Sequence, residues 1–208
     1  MTRRLLQLLA GLALYGVSLA LVLRADLGLA PWDVLHQGIA ERAGVSIGVV
    51  LIVVSFVVLL AWVPLRQRPG IGTLANAALV GVVVDLTLTV LDEGQGWLPR
   101  AVLLVSGVAL NGLATAMYIG ASLGAGPRDG LMTGLVRRTG RSVRLVRTCL
   151  EVGVLAVGFA LGGTVGVGTV LYALAIGPIA HALLPVLTVE PRPAAGPIVP
   201  PRSAPDVA

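Results

Sequence analysis

The sequence predicts an all-α membrane protein with six transmembrane helices, arranged as two inverted three-helix repeats that each carry a short re-entrant or interfacial helix. Three observations predict this fold class. The composition is apolar, with 56% hydrophobic and 12% charged residues and a mean hydropathy of +0.94, whereas about a quarter of the residues in a soluble domain are charged. Six runs are long enough to cross a bilayer, and the second half of the chain repeats the first.

The repeat has a constant offset of 96 positions. The motif Leu-Gly-x-x-Pro-x-Asp at 27–33 recurs at 123–129, and Gly-x-Gly-Thr at 70–73 recurs at 166–169. A repeated unit of this length indicates the architecture before any single helix is considered.

The two repeats are predicted at residues 1–99 and 100–187. Each has three runs of about 20 apolar residues, which suffice for the hydrocarbon core at 1.5 Å per residue. The Pro-rich segment 188–208 has little apolar content and is predicted to be disordered. The predicted spans are about 5–23, 46–64, 72–91, 101–121, 146–162 and 167–187, and the predicted short helices are 31–43 and 127–139.

The arginines predict the orientation. All 15 basic residues are arginine, and with the N-terminus in the cytoplasm twelve of them, Arg128 among these, lie on the cytoplasmic side. The opposite orientation places only three there, so we expect both termini in the cytoplasm. Because each repeat has an odd number of spans, the second copy enters the membrane from the opposite face, which is typical of an inverted repeat.

Each short helix has the local signals of a helix start and end. A proline suits the first helical position, Asp33 and Asp129 fall in the first turn, and Gly44 and Gly140 suit the position after the last turn. Two interpretations of the Pro-x-Asp pair remain open. It is an ordinary helix start, or it marks two half-helices whose N-termini point at a shared central site.

Three ionisable residues, Asp85, Glu151 and His181, fall inside predicted spans, where ionisable side chains are functional candidates. Asp85 and His181 are repeat mates and are therefore expected at opposite depths. Glu151 either pairs with Arg147 one turn away or exchanges a proton with His181.

Two further repeat mates, Tyr15 and Asn111, are expected near the middle of their spans. They either link helices by hydrogen bonds or line a cavity. Together with Asp33 and Asp129 they are the candidates for a substrate path. The Gly-x-Gly-Thr runs form either tight turns or anion-binding nests of backbone N–H groups.

The sequence contains no His-Glu-x-x-His or Gly-x-Ser-x-Gly motif. The single cysteine, Cys149, excludes an internal disulfide and a cysteine-based metal cluster. We therefore expect no enzyme activity, no cofactor, no metal site and no nucleic-acid partner.

The run Leu-Gly-x-x-Pro-Trp-Asp-x-Leu-x-x-Gly at 27–38, with Gly-Ile-Gly-Thr at 70–73, resembles bacterial integral membrane proteins of the YczE/YyaS/YitT type. The resemblance covers roughly residues 5–187. It implies a multi-span protein of the bacterial inner membrane and supplies no catalytic residue. The second copy departs from the motif, with Arg128 in place of Trp and Gly130 in place of Val.

Two functions from different classes fit these features. The first is a small transporter or permease in the lipid bilayer, which we expect to form a homodimer. Its substrate, a small molecule or an ion, would pass along the repeat interface. The alternative is a non-transporting regulator or assembly partner of another complex. This alternative rests on the Arg-rich segment 137–147, which suits acidic partners or anionic lipid.

Overall fold

The computed structural model describes residues 1–189, and this part of the chain contains eight α-helices and no strand. The predicted all-α class is confirmed. Apart from Thr188 and Val189, the predicted disordered tail at 188–208 lies outside the described residues. The helices are α1 (Thr2–Ala25), α2 (Pro31–Ala43), α3 (Ile47–Trp62), α4 (Ile71–Leu88), α5 (Trp97–Gly120), α6 (Pro127–Thr139), α7 (Val143–Ala160) and α8 (Val167–Leu187).

The two short helices α2 and α6 have the bounds that their local signals predict. Each begins with its proline, and each ends before a glycine, Gly44 or Gly140, with φ 65°. Glycine adopts this left-handed conformation without the steric cost that a side chain would add. After α2 the chain bends by 116° into α3.

Four helices, α1, α4, α5 and α8, are long and apolar enough to cross a membrane, and the bent pair α2 and α3 is a fifth candidate if it forms one broken span. Large apolar side chains are exposed on the outer surfaces, for example Phe56 and Leu60 on α3 and Leu174 on α8. A lipid environment accounts for such exposure. The fold is thus that of a membrane protein, and six crossings as two inverted repeats remain a prediction.

The helix ends gather at two faces of the molecule. At the first, which we call the N-terminal face, Gln7 Nε2 near the start of α1 donates to Leu187 O at the end of α8, at 2.6 Å. At the same face Gly72 N, at the start of α4, donates to Leu123 O beyond the end of α5, at 2.9 Å.

At the opposite face, Arg24 near the end of α1 donates from Nη2 to Leu88 O at the end of α4, at 2.6 Å. Gly168 N, at the start of α8, donates to Leu27 O at 2.7 Å. Helices α1, α4, α5 and α8 therefore each run from one face to the other.

Helices α1 and α5 pack antiparallel at the centre, and the other helices pack around them in matching pairs. Helix α1 packs on α4 as α5 packs on α8, and α2 packs on α7 as α6 packs on α3. Close approach of α1 and α5 depends on the mates Gly11 and Gly107, since a Cβ on Gly107 would lie 2.7 Å from Val22 Cγ2. The main exception to the match is that α3 packs on α4, whereas α7 and α8 do not pack closely on each other.

Candidate functional site

The first turns of α2 and α6 meet inside the molecule. Arg128 Nη2 of α6 lies 3.2 Å from Asp33 Oδ1 of α2, and the guanidinium lies 5.2 Å from the centre of the Trp32 ring. Trp32 and Arg128 are repeat mates, so equivalent positions of the two repeats contact each other. Arg128, counted above as a cytoplasmic topology signal, instead links the two short helices.

Asp33 and His36 are the buried part of this cluster, with 4% and 1% of their surface exposed. Asp33 Oδ1 lies 3.3 Å from His36 Nδ1, and the same ring nitrogen lies 3.4 Å from Arg128 Nη2. A buried carboxylate requires such partners, because its desolvation is otherwise uncompensated. His36 was not among the predicted site residues, although its i, i+3 spacing from Asp33 on a helix indicates the contact.

A cavity of about 370 Å³ lies beside this cluster and is lined by residues of α1, α2, α5, α6, α7 and α8. It extends from the molecular centre to the halves of α7 and α8 that lie nearest the N-terminal face. The residues at its inner end are Tyr15, Tyr118, Tyr172, Arg128 and Asp129, and those towards its mouth include Arg147, Glu151, His181 and Leu184.

Asp129 is the carboxylate at the inner end of the cavity. Its Oδ2 accepts a hydrogen bond from the Tyr118 hydroxyl at 2.7 Å, and the Tyr118 ring meets Tyr15 edge to face with their centres 6.0 Å apart. Among the ion pairs within residues 1–189, none includes Asp129. The repeat mates Asp33 and Asp129 thus have different partners, a cation for the first and a neutral hydroxyl for the second.

Asn111 is fully buried between α1, α5 and α8. Its Nδ2 donates to Ser18 Oγ at 2.7 Å, and its Oδ1 accepts from the Tyr172 hydroxyl at 2.8 Å. The side chain links helices, the first of the two interpretations left open for it. Of the four predicted path residues, Tyr15 and Asp129 line the cavity. Asp33 and Asn111 do not line it; they contact two residues that do, Arg128 and Tyr172 respectively.

The mouth of the cavity contains two of the predicted intramembrane ionisable residues. Glu151 Oε1 accepts from Arg147 Nε at 2.8 Å, which is the i, i+4 pair given as one interpretation. His181 is exposed and lines the same mouth. Proton exchange between Glu151 and His181 stays a prediction.

Asp85, the third of these residues, joins α4 to α3. Its Oδ2 accepts from Ser46 Oγ at 2.6 Å and its Oδ1 from Gly48 N at 2.8 Å. The carboxylate therefore satisfies one of the first N–H groups of α3, that of Gly48, and binds the hydroxyl of the N-cap residue Ser46. One turn away, Gly81 packs so closely on Gly48 that a methyl group at either position would clash with the other backbone.

The repeat mates of these residues lie on α8 and at the start of α7, two helices that do not pack closely on each other. Gly177, the mate of Gly81, has no atom within 4 Å of the place that a Cβ would occupy. The cavity that matches the large one lies between α3 and α4, includes Ser55 and Asn76 in its lining, and measures only about 70 Å³. The same helix pair is therefore closed in the first repeat and open in the second.

The Gly-x-Gly-Thr runs form tight helix starts. Gly70 N and Gly166 N donate to the hydroxyls of Thr73 and Thr169, at 3.1 and 3.3 Å, and the second glycine of each run donates to a carbonyl of the other repeat. Because protein oxygens already bind these N–H groups, the interpretation as anion-binding nests is wrong.

The family of unknown function DUF6198 matches residues 2–185. An uncharacterized protein of Haemophilus influenzae is 39% identical over 185 residues, which is 89% of this chain and 85% of the relative. The uncharacterized membrane protein YczE of Bacillus subtilis is 35% identical over 172 residues, with 82% and 80% covered. The uncharacterized protein YyaS of the same organism is 25% identical over 181 residues, with 85% and 90% covered.

No solved structure matches the chain. The resemblance to membrane proteins of the YczE/YyaS type is confirmed. The relation to YitT and a role in transport stay predictions.

Proposed function

We propose that this chain, which belongs to the DUF6198 family, is a small carrier that crosses the cytoplasmic membrane of a bacterium six times and moves its substrate by alternating access. Its two repeats are inverted, and the substrate path follows their interface. One observation carries the proposal: the helix pair α3 and α4 is closed, while the equivalent pair α7 and α8 is open around a cavity of about 370 Å³.

Carriers built from inverted repeats work because each repeat can adopt the conformation of the other. When the two conformations are exchanged, a site open at one face becomes open at the other. Here the exchange closes α7 on α8 at the N-terminal face and separates α3 from α4 at the opposite face. The Ser46–Asp85 contact then opens and its counterpart, Ser142 with His181, forms.

Two features support six crossings, and a third gives their orientation. The ends of α1, α4, α5 and α8 gather at two faces. Helices α3 and α7, with 16 and 18 residues, reach about 24 and 27 Å at 1.5 Å per residue, close to the ~30 Å of the hydrocarbon core. The arginines of 137–147 then make the N-terminal face the cytoplasmic one.

The exchange of conformations is tested by a disulfide at the open helix pair. In a Cys149→Ser background, which removes the natural thiol, we introduce Ser142→Cys and His181→Cys. Their mates Ser46 and Asp85 are in contact at 2.6 Å. If α7 closes on α8, oxidation of the membranes forms a disulfide, measured as loss of labelling by a maleimide that shifts the protein on a gel.

A third cysteine reports on the other face. Ser55→Cys lies in the small closed cavity, so we expect a membrane-impermeant maleimide to reach it from the opposite face only after the 142–181 disulfide has formed. The Ser55→Cys protein without that pair is the matched control. Alternating access is wrong if both cysteines accept maleimide but never cross-link, or if Ser55→Cys stays protected in the cross-linked protein.

One observation favours the second candidate function, a regulator or assembly partner. The arginines at 137, 138, 141 and 144 are all exposed or half-exposed and form a dense positive surface at the junction of α6 and α7, which suits an acidic protein or anionic lipid. A stoichiometric partner that co-purifies and is lost on Arg141→Gln with Arg144→Gln supports this function. In that case, the disulfide between 142 and 181 should not form.

A further inference from the structure

We propose that the large cavity binds a small organic cation, with Asp129 as the counter-ion of an ammonium group and the rings of Tyr15, Tyr118 and Tyr172 as the walls. This inference deepens the proposed carrier function, on which it rests, by naming the chemical class of its substrate. The site is distinct from the ion pair of Asp33 and Arg128, of which only Arg128 lines the cavity.

The balance of charge at the cavity favours a cation. Arg128 lies 3.2 Å from Asp33 and covers the face of Trp32, so protein groups already occupy its guanidinium. Arg147 and Glu151 neutralise each other at 2.8 Å. Asp129 is then the one carboxylate of the lining without a cationic partner among residues 1–189, and it leaves a single negative charge at the inner end.

The helix start at Asp129 does not by itself account for this carboxylate. The dipole of α6 stabilises a negative charge in the first turn by a modest amount. Asp33 occupies the same position on α2 and nevertheless binds a cation, Arg128. The Tyr118 hydroxyl, at 2.7 Å, supplies a hydrogen bond to Asp129 but no charge. A ligand cation would supply that charge in the second repeat.

The walls distinguish an organic cation from a metal ion. Aromatic faces attract ammonium groups, and aromatic enclosures are a recurrent way to bind quaternary ammonium ligands. Three tyrosines line this cavity. No group of three His, Cys, Asp or Glu side chains within residues 1–189 could hold a metal ion. The volume, about 370 Å³, falls in the range of roughly 300–1,000 Å³ of small-molecule sites.

The test measures binding to the full-length protein in detergent by isothermal titration calorimetry, with tetraethylammonium chloride as the cation and sodium benzoate as an anion of similar apolar character, at equal ionic strength. We expect saturable binding of tetraethylammonium and none of benzoate. Asp129→Asn should weaken the binding by roughly tenfold to a hundredfold, because it removes a charged partner. Asp92→Asn, an exposed residue between α4 and α5, is the matched control and should bind as the natural protein does.

Tyr118 separates the role of the ring from that of the hydroxyl. Tyr118→Phe keeps the aromatic face and should retain most of the affinity, whereas Tyr118→Leu should lose it. The proposal is wrong if the natural protein binds neither probe, or if it binds benzoate. Both outcomes are measured on the natural protein, so a variant that fails to fold does not affect them.

Failure of this proposal and failure of the carrier function are distinguishable. Binding in detergent requires no closure of α7 on α8, and the 142–181 disulfide requires no ligand. Saturable cation binding without cross-linking would leave the site assigned and overturn the carrier. Cross-linking without cation binding would support the carrier and overturn the cation site.

Discussion

The guanidinium of Arg128 and the carboxylate of Asp33 each offset the cost of burying the other. Asp33 has 6% of its side chain exposed and Arg128 has 26%, so both charges are largely withdrawn from solvent. Removing one partner leaves a charge with no partner in a region of low dielectric, which is worse than removing both. His36 contacts Asp33 at 3.3 Å, but when Arg128 is removed it does not fully replace the guanidinium.

A double-mutant cycle measures this coupling. We expect Asp33→Asn to lower the free energy of unfolding by about 3 kcal/mol, which is the low end of the usual range, because Arg128 stays partly accessible. Arg128→Met should cost a similar amount, and the double variant should cost less than the two single changes added together. Chemical unfolding in detergent micelles gives the four values. Strict additivity would show that the ion pair contributes no coupling energy.

The positions of Asp33 and Asp129 could be predicted from the sequence, but not all of their contacts could. The repeat places Asp33 and Asp129 in the first turns of two equivalent helices, and both are found there. The cationic partner of Asp33 could not be predicted, because its contact with Arg128 crosses from one repeat to the other. Contacts at 92 and 95 positions of separation depend on helix packing, not on local signals.

At the scale of helices, two equivalent glycines, one in α4 and one in α8, have different surroundings. Gly81 touches the backbone of Gly48, while its mate Gly177 faces open space. The residue opposite them differs between the repeats: position 48 is glycine, and its mate is Arg144. Small residues let helix backbones approach closely, and the second repeat has an arginine where the first has this small residue.

The two glycines provide a matched pair of variants. Gly81→Ala adds a methyl group where the Gly48 carbonyl lies, so we expect a loss of about 1–3 kcal/mol from overpacking. Gly177→Ala meets no neighbour and should be neutral or stabilising by up to ~1 kcal/mol, since alanine is the better helix former. Thermal unfolding of both variants in detergent tests this. Equal losses would mean that α7 and α8 pack as closely as α3 and α4.

Helix bounds were the most predictable feature at this scale. Both short helices begin and end where predicted, because proline at the first position and glycine after the last are local signals. The two glycines themselves do not predict the state of the helix pairs, because positions 81 and 177 are both glycine. The sequence differs at Gly48 and its mate Arg144, and the packing of the helices shows which glycine is covered.

At the scale of the whole molecule, the constant offset of 96 positions predicted two equivalent halves, and helices of both halves do pack in matching pairs. The exception at α7 and α8 could not be inferred from a repeat, since a repeat predicts equality. A homodimer stays a prediction.

Cysteine accessibility tests the arrangement of the whole chain in the membrane. In the Cys149→Ser background we expect Gln67→Cys, between α3 and α4, and Arg141→Cys, between α6 and α7, to react with an impermeant maleimide from the cytoplasmic side. Gln95→Cys, at an exposed position between α4 and α5, should react from the outside only. Labelling of positions 67 and 141 from different sides would rule out the inverted repeat. Inside-out and right-side-out vesicles supply the two conditions.

The contact between Trp32 and Arg128 has a consequence for symmetry. Two identical chains assembled around the same axis would set this position against its own copy. Two arginines would repel each other, and two tryptophans would leave both neighbouring aspartates without a cation. In one chain the two copies of this position can differ, and here they are tryptophan and arginine. A pair of identical chains could not place one positive and one aromatic side chain at this contact.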